Sequence, residues 1–356
     1  MPPIQPPFIS AFFSWHRVKK SPQAKQSFFL SFEDALWQII RQQQILPNSV
    51  VLIPEFFCFD VVKNIEAHGL KCLTYQVDQY LQVDQNDFFA KLKKARPAIV
   101  IVFHAVGISN SLLQNTAWLK FLPAKSLLIE DCVHRLLDPS KIKILDQRHY
   151  LIDSLRKVAP LQGSRVFSQE KIKPTTLADR LATLMYRSRV LFWWLIMQLA
   201  LLWNYYSKNP KGNQLATQAM EKGYDIIGDH KRPSPNFWLF NQLSHHLNYE
   251  KIKKCKQEQA DLYNARLEPI LNKSTSLFLI PFTLSDRSQL RGFPLGIKID
   301  EAEKFMNFCQ QNQLHLRLEL NDSPWSLRQK IVYLPMGPHV KNAEIEKICD
   351  LIRRHL

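Results

Sequence analysis

The stretch "SLLIEDCVHRLLDPSKIKILDQRHYLIDSLRK" (residues 126–157) contains two short apolar runs that each end in polar side chains. The first run leads into Asp131 and the second into Ser154. Short, continuous apolar runs are typical of strands in a parallel sheet that is covered on both faces. Ligands bind where the strands of such sheets end. We therefore expect Asp131, Ser154 and Lys157, which follows three residues after Ser154, to lie at one edge of a sheet.

The chain before residue 245 repeats this pattern of apolar runs between helical segments. The runs predict strands over 49–54, 71–77, 98–104, 126–131 and 149–153, and the helical periodicity predicts helices over 32–45, 60–70, 85–95 and 111–122. Such alternation predicts an α/β fold, with a three-layer α/β/α large domain built on a mostly parallel sheet. Together with a proline-rich N-terminal arm, packed on it or on a partner, this domain is expected to cover residues 1–245.

The last third of the chain has a different order of elements. The sequence predicts helices over 251–271, 301–312 and 342–355, and strands over 294–299, 315–320 and 331–335. A β-α-β-β-α order predicts a small C-terminal α+β domain, which we place at residues 246–356.

The chain is basic and poor in glycine. Lys and Arg total 47 of 356 residues against 31 Asp and Glu, a net charge of +16. The excess is spread along the chain, so we interpret it as a solvated basic surface suited to anionic small molecules, and we expect no nucleic-acid partner. The sequence contains no glycine-rich phosphate loop of the GxGxxG or GxxxxGK[ST] type.

The six cysteines form no CxxC pair, and most lie in apolar runs. They are expected to be core residues in a reducing compartment, with no disulfide and no metal site. The N-terminus lacks the charged and apolar regions of a signal peptide, so we expect a cytoplasmic protein.

Residues 190–207, "VLFWWLIMQLALLWNYYS", form an uncharged segment with basic residues on both sides, from Arg187 to Lys211. The strongly apolar part, 190–203, is too short to span a membrane. We predict a helix that is buried or lies at a dimer interface. The alternative is a helix that lies on a membrane surface, with its tryptophans at the lipid headgroups and its basic flanks on anionic lipid.

Asp131 and Lys157 together indicate pyridoxal 5'-phosphate (PLP) chemistry. A lysine amine bonds covalently to the aldehyde of this cofactor. A carboxylate beside the pyridine nitrogen keeps that nitrogen protonated, so that the ring accepts electrons from a carbanion. The hydroxyl of Ser154 is placed to serve the phosphate. Taken singly, Asp131 is interpreted as a helix cap and Lys157 as a surface charge. The two residues at successive strand ends indicate PLP chemistry more specifically than either residue alone.

Four segments resemble, in order and spacing, those of the DegT-type aminotransferases. These are fold-type I PLP enzymes that act mostly on nucleotide-linked sugars. The segments are 30–78, "LLIEDCVH" (127–134), "DSLRKVAPLQGS" (153–164) and 331–354. The resemblance spans nearly the whole chain, and it implies a PLP-dependent aminotransferase, a homodimer and a role in polysaccharide biosynthesis.

The resemblance assigns roles to three residues around the reacting end of the cofactor. It makes Lys157 the lysine that binds the cofactor and Asp131 the aspartate at the pyridine nitrogen. His134 takes the place of a side chain near the phenolic oxygen of the ring.

The resemblance places the phosphate at a turn that begins with Ser31. The position that stacks on the cofactor ring falls within "FFCF" (56–59), where Phe57 and Cys58 are both candidates. The turn departs from the family, which usually has a small residue after the serine, since here it continues with Phe32, Glu33 and Asp34. Acidic residues in a first helical turn favour the helix dipole, but they compete with a phosphate for the same positive end.

Several basic residues are weaker candidates. His104 ends a predicted strand and is a candidate for a substrate contact, with a structural histidine as the alternative. Arg317 and Arg328 are candidates for a substrate carboxylate or diphosphate. Arg156 and Arg165 lie close enough in sequence to help hold a phosphate, with a surface role as the alternative.

Three functions remain open from the sequence. The first is an aminotransferase that moves an amino group from an amino acid, glutamate foremost, to a keto-sugar linked to a nucleotide. The second is a catalytically degenerate homologue that acts as a binding or membrane-surface protein. The third is a lyase or dehydratase of the same fold, which is disfavoured because related sugar dehydratases carry histidine at the lysine position.

Overall fold

The computed structural model describes residues 5–19, 21–173, 175–228, 230 and 232–356. The strands are β1 Lys25–Phe29, β2 Val50–Pro54, β3 Lys71–Tyr75, β4 Ile99–Phe103, β5 Leu127–Cys132, β6 His149–Asp153, β7 Ser164–Ser168, β8 Leu277–Leu279, β9 Phe293–Lys298 and β10 Gln329–Leu334. The helices are α1 Phe32–Gln42, α2 Phe59–Ala67, α3 Gln85–Ala95, α4 Leu155–Val158, α5 Leu177–Ala182, α6 Leu184–Ser207, α7 Pro210–Gly228, α8 Trp238–Ser244, α9 Tyr249–Leu271, α10 Ile299–Gln311 and α11 Asn342–His355.

The first seven strands form one mixed sheet in the order β1-β7-β6-β5-β4-β2-β3. Strands β2 to β6 pair in parallel, and β7 runs antiparallel to β6. Every residue of β4 is buried, as its unbroken run of Ile, Val and Phe predicts for a strand covered on both faces. The predicted α/β fold with a mostly parallel sheet is confirmed.

The register of the central strands brings the predicted site residues to one edge. Asp131 on β5 pairs with Phe103 at the end of β4 and with Ile152 near the end of β6. Ser154 follows β6 directly and precedes α4, which carries Lys157. Neighbouring parallel strands that end level with one another therefore place Asp131, Ser154 and Lys157 together.

A second, antiparallel sheet of three strands, in the order β10-β9-β8, lies in the last third of the chain. Helices α9 and α11 pack against each other beside it. The predicted domain boundary at 245–246 falls between α8 and α9, and it stays a prediction.

The predicted helix over 111–122 is wrong. The segment forms two short 3-10 turns, Ser111–Leu113 and Thr116–Phe121. The side chains of Asn110 and Asn115 each accept a hydrogen bond from the backbone N–H two residues later. Such side-chain bonds close local turns in competition with a continuous helix.

The predicted strand over 315–320 is also wrong. The segment makes a single antiparallel bridge, between Leu318 and Val332 of β10. Leu320 has a φ of +45°, a left-handed conformation that extended pairing does not tolerate.

The described part of the N-terminal arm packs on α6, as expected for an arm bound to its own domain. Phe8 makes an edge contact with Trp194, with ring centroids 6.4 Å apart. The side-chain amide of Gln198 donates to the Pro6 carbonyl oxygen at 3.5 Å. Residues 1–4 lie outside the described residues.

The segment 190–207 is helical, as predicted, and belongs to α6. Helices α6 and α7 form a hairpin with a two-residue connection, and α6 is neither fully buried nor fully exposed. One face packs on α7 and the arm, whereas Met185, Phe192 and Leu199 are 79%, 56% and 66% exposed. Among the helices of the described residues, none combines the length and hydropathy needed to cross a bilayer.

Candidate active site

A cavity of about 600 Å³ lies at the carboxyl ends of β5 and β6. The first turns of α1 and α2, the end of α7 and the segment 316–322 complete its walls. Asp131, His134, Ser154 and Lys157 all line it. The volume lies within the range of small-molecule sites in proteins.

The imidazole of His134 is fully buried and held at both nitrogens. The backbone N–H of Val106 donates to Nδ1 at 3.1 Å, which assigns the ring proton to Nε2, and Nε2 donates to Glu319 Oε1 at 3.2 Å. Burial and the charge of Lys157 lower the pKa of His134 to about 3, so the ring is neutral at pH 7. Lys157 Nζ lies 3.3 Å from Nε2. Because the Nε2 proton is directed to Glu319, the ring offers the lysine no lone pair, and the amine stays available to a ligand.

Glu319 and Arg291 complete this network, and the sequence did not indicate either of them. Arg291 Nη1 lies 2.9 Å from Glu319 Oε2, and both side chains are buried. Burial acts to raise the pKa of Glu319, but the Arg291 charge and the hydrogen bond from His134 hold it well below its usual range. The only sequence signal is that Glu319 is the one acidic residue in an apolar and basic stretch, 311–320.

The turn after β4 is strained beside the cavity. Val106 has a φ of +54°, a conformation that is unfavourable for a β-branched residue. Its N–H donates to His134, and its carbonyl accepts the Arg291 N–H at 3.2 Å. Strained residues that are fixed on both sides are typical of functional sites.

Asp131 is the carboxylate that fits the pyridine nitrogen of PLP. Its side chain is 3% exposed, and Oδ1 accepts the N–H of Val133 at 3.0 Å. No described residue forms an ion pair with it. Burial raises the pKa of Asp131 to about 7, although the Val133 N–H and the Lys157 charge act in the opposite direction. A buried carboxylate without a cationic partner fits a ligand with a protonated ring nitrogen.

The phosphate end of the cofactor meets both favourable and unfavourable groups. Ser154 Oγ is buried and has no hydrogen-bond partner among the described residues, so it fits as a donor to a phosphate oxygen. Phe32 and Glu33, the first two residues of α1, line the cavity. Ser31 does not line it, because its hydroxyl donates to Asp34 Oδ2 at 2.8 Å. The residues present fit the ring and the aldehyde of PLP, whereas the Glu33 carboxylate repels its phosphate.

Phe57 and Cys58, the two candidates for stacking on the ring, both line the cavity. Burial raises the pKa of the Cys58 thiol to about 11, with the Lys157 charge acting against it. The thiol is therefore neutral at pH 7, which suits packing against a ring and not nucleophilic attack.

The end of the cavity near α7 is cationic. Arg156 lies over the ring of Tyr224, 4.4 Å from its centroid, and Arg317 lies 5.8 Å from the same centroid. Burial acts to raise the pKa of Tyr224, but the charges of Arg156, Lys157, Arg291 and Arg317 outweigh burial and lower it. A field that favours a phenolate also favours the anionic group of a ligand.

Three candidate residues lie outside the cavity. His104 is buried and bonds Glu130 Oε1 at 2.7 Å, so it is the structural histidine of the alternative interpretation. Arg328 makes a two-point ion pair with Glu55, at 2.7 and 2.8 Å. Arg165 is neither a phosphate ligand nor a surface residue, because it is buried among partners of its own.

No protein-family profile and no curated protein matches this chain by sequence. Many solved structures match its fold. A sugar aminotransferase from Streptococcus pneumoniae in its PMP form is 11% identical, with a TM-score of 0.63 over 100% of this chain and 97% of that one. A DegT/DnrJ/EryC1/StrS aminotransferase from Brucella abortus is 16% identical, with a TM-score of 0.58 over 93% of this chain and 85% of that one.

A third similar structure is PseC from Helicobacter pylori, an aminotransferase involved in pseudoaminic acid biosynthesis. It is 9% identical, with a TM-score of 0.60 over 95% of this chain and 87% of that one. Identities this low show a shared fold. The resemblance that the sequence indicates is thus confirmed at the level of the fold, which the chain shares with these aminotransferases.

Proposed function

We propose that this chain is a PLP-dependent aminotransferase that passes an amino group from an amino acid to the carbonyl carbon of a nucleotide-linked keto-sugar. The observation that carries the proposal is that Lys157, Asp131 and His134 line one cavity in a fold shared with sugar aminotransferases. None of the three structures compared above is close enough in sequence to supply the substrate.

Each of these residues has a defined task in the proposed reaction. When bound, PLP supplies an electron sink for the carbanion at the substrate Cα. The Lys157 amine would hold the cofactor through its aldehyde carbon and, once freed by the amino donor, would carry the proton to and from the substrate Cα. Asp131 would keep the ring nitrogen protonated. His134, which burial keeps neutral, donates its Nε2 proton to Glu319 and so would place an uncharged imidazole beside the cofactor.

The cationic end of the cavity supports an anionic acceptor. Arg156 Nε is buried without a described hydrogen-bond partner, and Arg317 lines the same wall. Guanidinium groups bind phosphate oxygens with two parallel hydrogen bonds. A nucleotide diphosphate supplies such oxygens, and we propose that it lies between these two arginines.

The absorption spectrum of the purified protein tests the proposed function. We expect added PLP to give a near-visible band, and borohydride reduction to attach the cofactor to the peptide that carries Lys157. Lys157→Ala should abolish both signals, whereas Lys254→Ala, at an exposed lysine of α9, should keep them. A wild-type protein that takes up no PLP would refute the proposal.

We propose a homodimer in the cytoplasm as the working form of this enzyme. Sites of fold-type I enzymes are commonly built where two subunits meet. Light scattering of the eluting protein would give its mass, and a monomer that binds PLP and transfers amino groups would contradict the dimer.

Contact with a membrane surface is a second candidate function, and one surface favours it. Met185, Phe192, Leu195, Leu199, Trp203 and Tyr206 lie on the exposed face of α6, which we call the α6 stripe. At 1.5 Å per residue the stripe is about 30 Å long. Residues 180–220 contain five basic residues and no acidic one. Two copies of the stripe would bring these cations together, so an anionic lipid surface complements the stripe better than a second copy does.

Flotation with vesicles of anionic and zwitterionic phospholipid tests this contact. Trp193 and Trp194 are half-buried, and Trp194 packs on Phe240, so charges there would damage the core. Phe192→Glu/Leu199→Glu should abolish flotation with anionic vesicles, whereas Leu284→Glu, at an exposed leucine elsewhere, should not. A wild type that does not float would reject the contact. A double variant that changes from dimer to monomer would identify the stripe as a subunit contact.

A further inference from the structure

The first turn of α1 carries two acidic residues, of which Glu33 lines the cavity and Asp34 does not. Asp34 faces away from the cavity, where it accepts hydrogen bonds from Ser31 Oγ at 2.8 Å, the Ser234 N–H at 2.9 Å and the Tyr186 hydroxyl at 3.1 Å. Burial raises its pKa to about 7, partly offset by the Ser31 hydrogen bond. Asp34 therefore serves the packing of α1 and makes no contact with a ligand.

Glu33 faces the cavity. Its side chain is 7% exposed, it lines the cavity wall, and Oε2 has no hydrogen-bond partner among the described residues. The charge of Glu33 acts to raise the pKa of both Asp131 and Cys58, so its field reaches across the cavity. An unpartnered buried carboxylate oxygen is costly to keep unless a ligand compensates for it or the site has a use for the charge.

Glu33 lines the same cavity as the groups that suit a phosphate. These are the buried, unpartnered Ser154 Oγ and the backbone N–H groups at the start of α1, where a helix attracts anions. A carboxylate in the same turn repels a phosphate dianion. The cavity thus combines an anion receptor with a fixed negative charge.

We propose that Glu33 is a specificity-determining residue that weakens binding of the cofactor phosphate. The ratio of the affinities for PLP and for phosphate-free pyridoxal is therefore much smaller than the other phosphate-binding groups of the cavity would give. This inference rests on the proposed PLP function. The two ligands share the ring and the aldehyde, so their affinity ratio isolates the phosphate.

The experiment is a pair of titrations of the cofactor-free protein, one with PLP and one with pyridoxal, each followed by the absorbance of the Lys157 adduct. Glu33→Gln keeps the shape of the side chain and removes its charge. We expect this variant to bind PLP at least ~10-fold more tightly than wild type does. The substitution removes the Glu33 charge beside the phosphate dianion in a partly screened site. Binding of pyridoxal should change by no more than ~2-fold. Glu66→Gln, at an exposed glutamate of α2, should leave both affinities unchanged.

Inorganic phosphate gives a second measurement that does not depend on the aldehyde. Titration calorimetry should show phosphate binding at ~10-fold lower concentration in Glu33→Gln than in wild type. If Glu33→Gln raised the affinities for PLP and pyridoxal equally, or did not raise the affinity for PLP, the proposed role of Glu33 would be overturned. If neither ligand forms an adduct with wild type or variant while both keep the same circular dichroism spectrum, the proposed PLP function itself fails.

Discussion

The last residue of β6, Asp153, forms a buried ion pair one residue before the turn that carries Lys157. Arg165 of β7 donates to Asp153 Oδ2 from Nε at 3.0 Å and to the Leu137 carbonyl from Nη2 at 2.7 Å. The backbone N–H of Arg165 donates to Oδ1 at 2.9 Å. Neither side chain is exposed by more than 1%. This pair fixes β6 against β7 next to the turn that carries Lys157.

Removing one partner of this pair should destabilise the protein strongly. Arg165→Met leaves the Asp153 carboxylate buried without a counter-charge, at a cost of about 3–5 kcal/mol. Urea unfolding followed by circular dichroism should show the loss as a lower midpoint. Arg148→Met, which removes a half-exposed pair with Asp146, should cost about 1 kcal/mol or less. Equal midpoints for the two variants would contradict this account.

At the scale of elements, the turn between α4 and β7 depends on a glycine. Gly163 has a φ of +124°, and a Cβ there would lie 1.7 Å from Nδ2 of Asn236. Its carbonyl accepts the N–H of Leu155 at 2.8 Å, at the start of α4. The conformation of Gly163 thus sets the position of the helix that carries Lys157.

Gly163→Ala should therefore reduce both stability and cofactor binding. A side chain at this φ is strained and also displaces Asn236, so we expect a loss of about 2 kcal/mol or more. Gly223→Ala in α7 is the matched control, because the nearest atom to its new Cβ lies 3.9 Å away. That change should stabilise the helix by about 0.5–1 kcal/mol. Thermal melts and PLP titrations of both variants would test the pair.

The elements show why part of the fold could be predicted and part could not. The run of Ile and Val in β4 determines a buried strand locally, so its position follows from the sequence. The segment 315–320 alternates like a strand, but Glu319 bonds to Arg291 and His134, and Leu320 turns left-handed. These are long-range effects that no local pattern contains. Asp131 and Lys157 were foreseeable because they lie at the ends of adjacent strands, whereas Arg291, Glu319 and Tyr224 reach the cavity from distant segments.

At the scale of the whole molecule, the two sheets are held together near the cavity. Trp325 donates from Nε1 to the Asp78 carbonyl at 2.8 Å, and Gln329 donates to the Gln79 carbonyl at 2.7 Å. The Arg328–Glu55 pair spans the same junction. Arg328 therefore acts in joining the C-terminal part of the chain to the main sheet, and any effect of its substitution on the reaction should be indirect.

The pH dependence of stability should contain a contribution from one buried lysine of the C-terminal part. Lys256 is 2% exposed and donates to the Leu290 carbonyl at 2.7 Å. Burial lowers its pKa to about 7, with Cys255 acting in the opposite direction and the Arg291 charge adding to the shift. As the pH rises, the folded chain therefore loses this proton near pH 7, whereas the lysine of the unfolded chain keeps it until about pH 10. The free energy of unfolding should rise with pH in that interval.

Lys256→Met removes this contribution. Relative to the variant, wild type should gain about 3 kcal/mol of unfolding free energy between pH 7 and pH 10, since each unit of pKa shift is worth about 1.4 kcal/mol. The comparison of urea unfolding at several pH values cancels any constant offset from lost contacts. Lys254→Met, at an exposed lysine of the same helix, should show no such trend. A flat difference between wild type and Lys256→Met would exclude a low pKa for this lysine.

The packing of the N-terminal arm has a consequence for synthesis on the ribosome. Phe8 contacts Trp194, Phe13 pairs with Leu247, and β1 pairs with β7. The arm and β1 therefore emerge well before their partners are translated, and their phenylalanines stay uncovered in the meantime. A nascent chain stalled before residue 247 should be a substrate for chaperones, and C-terminal truncations should aggregate through the arm before they lose the central strands.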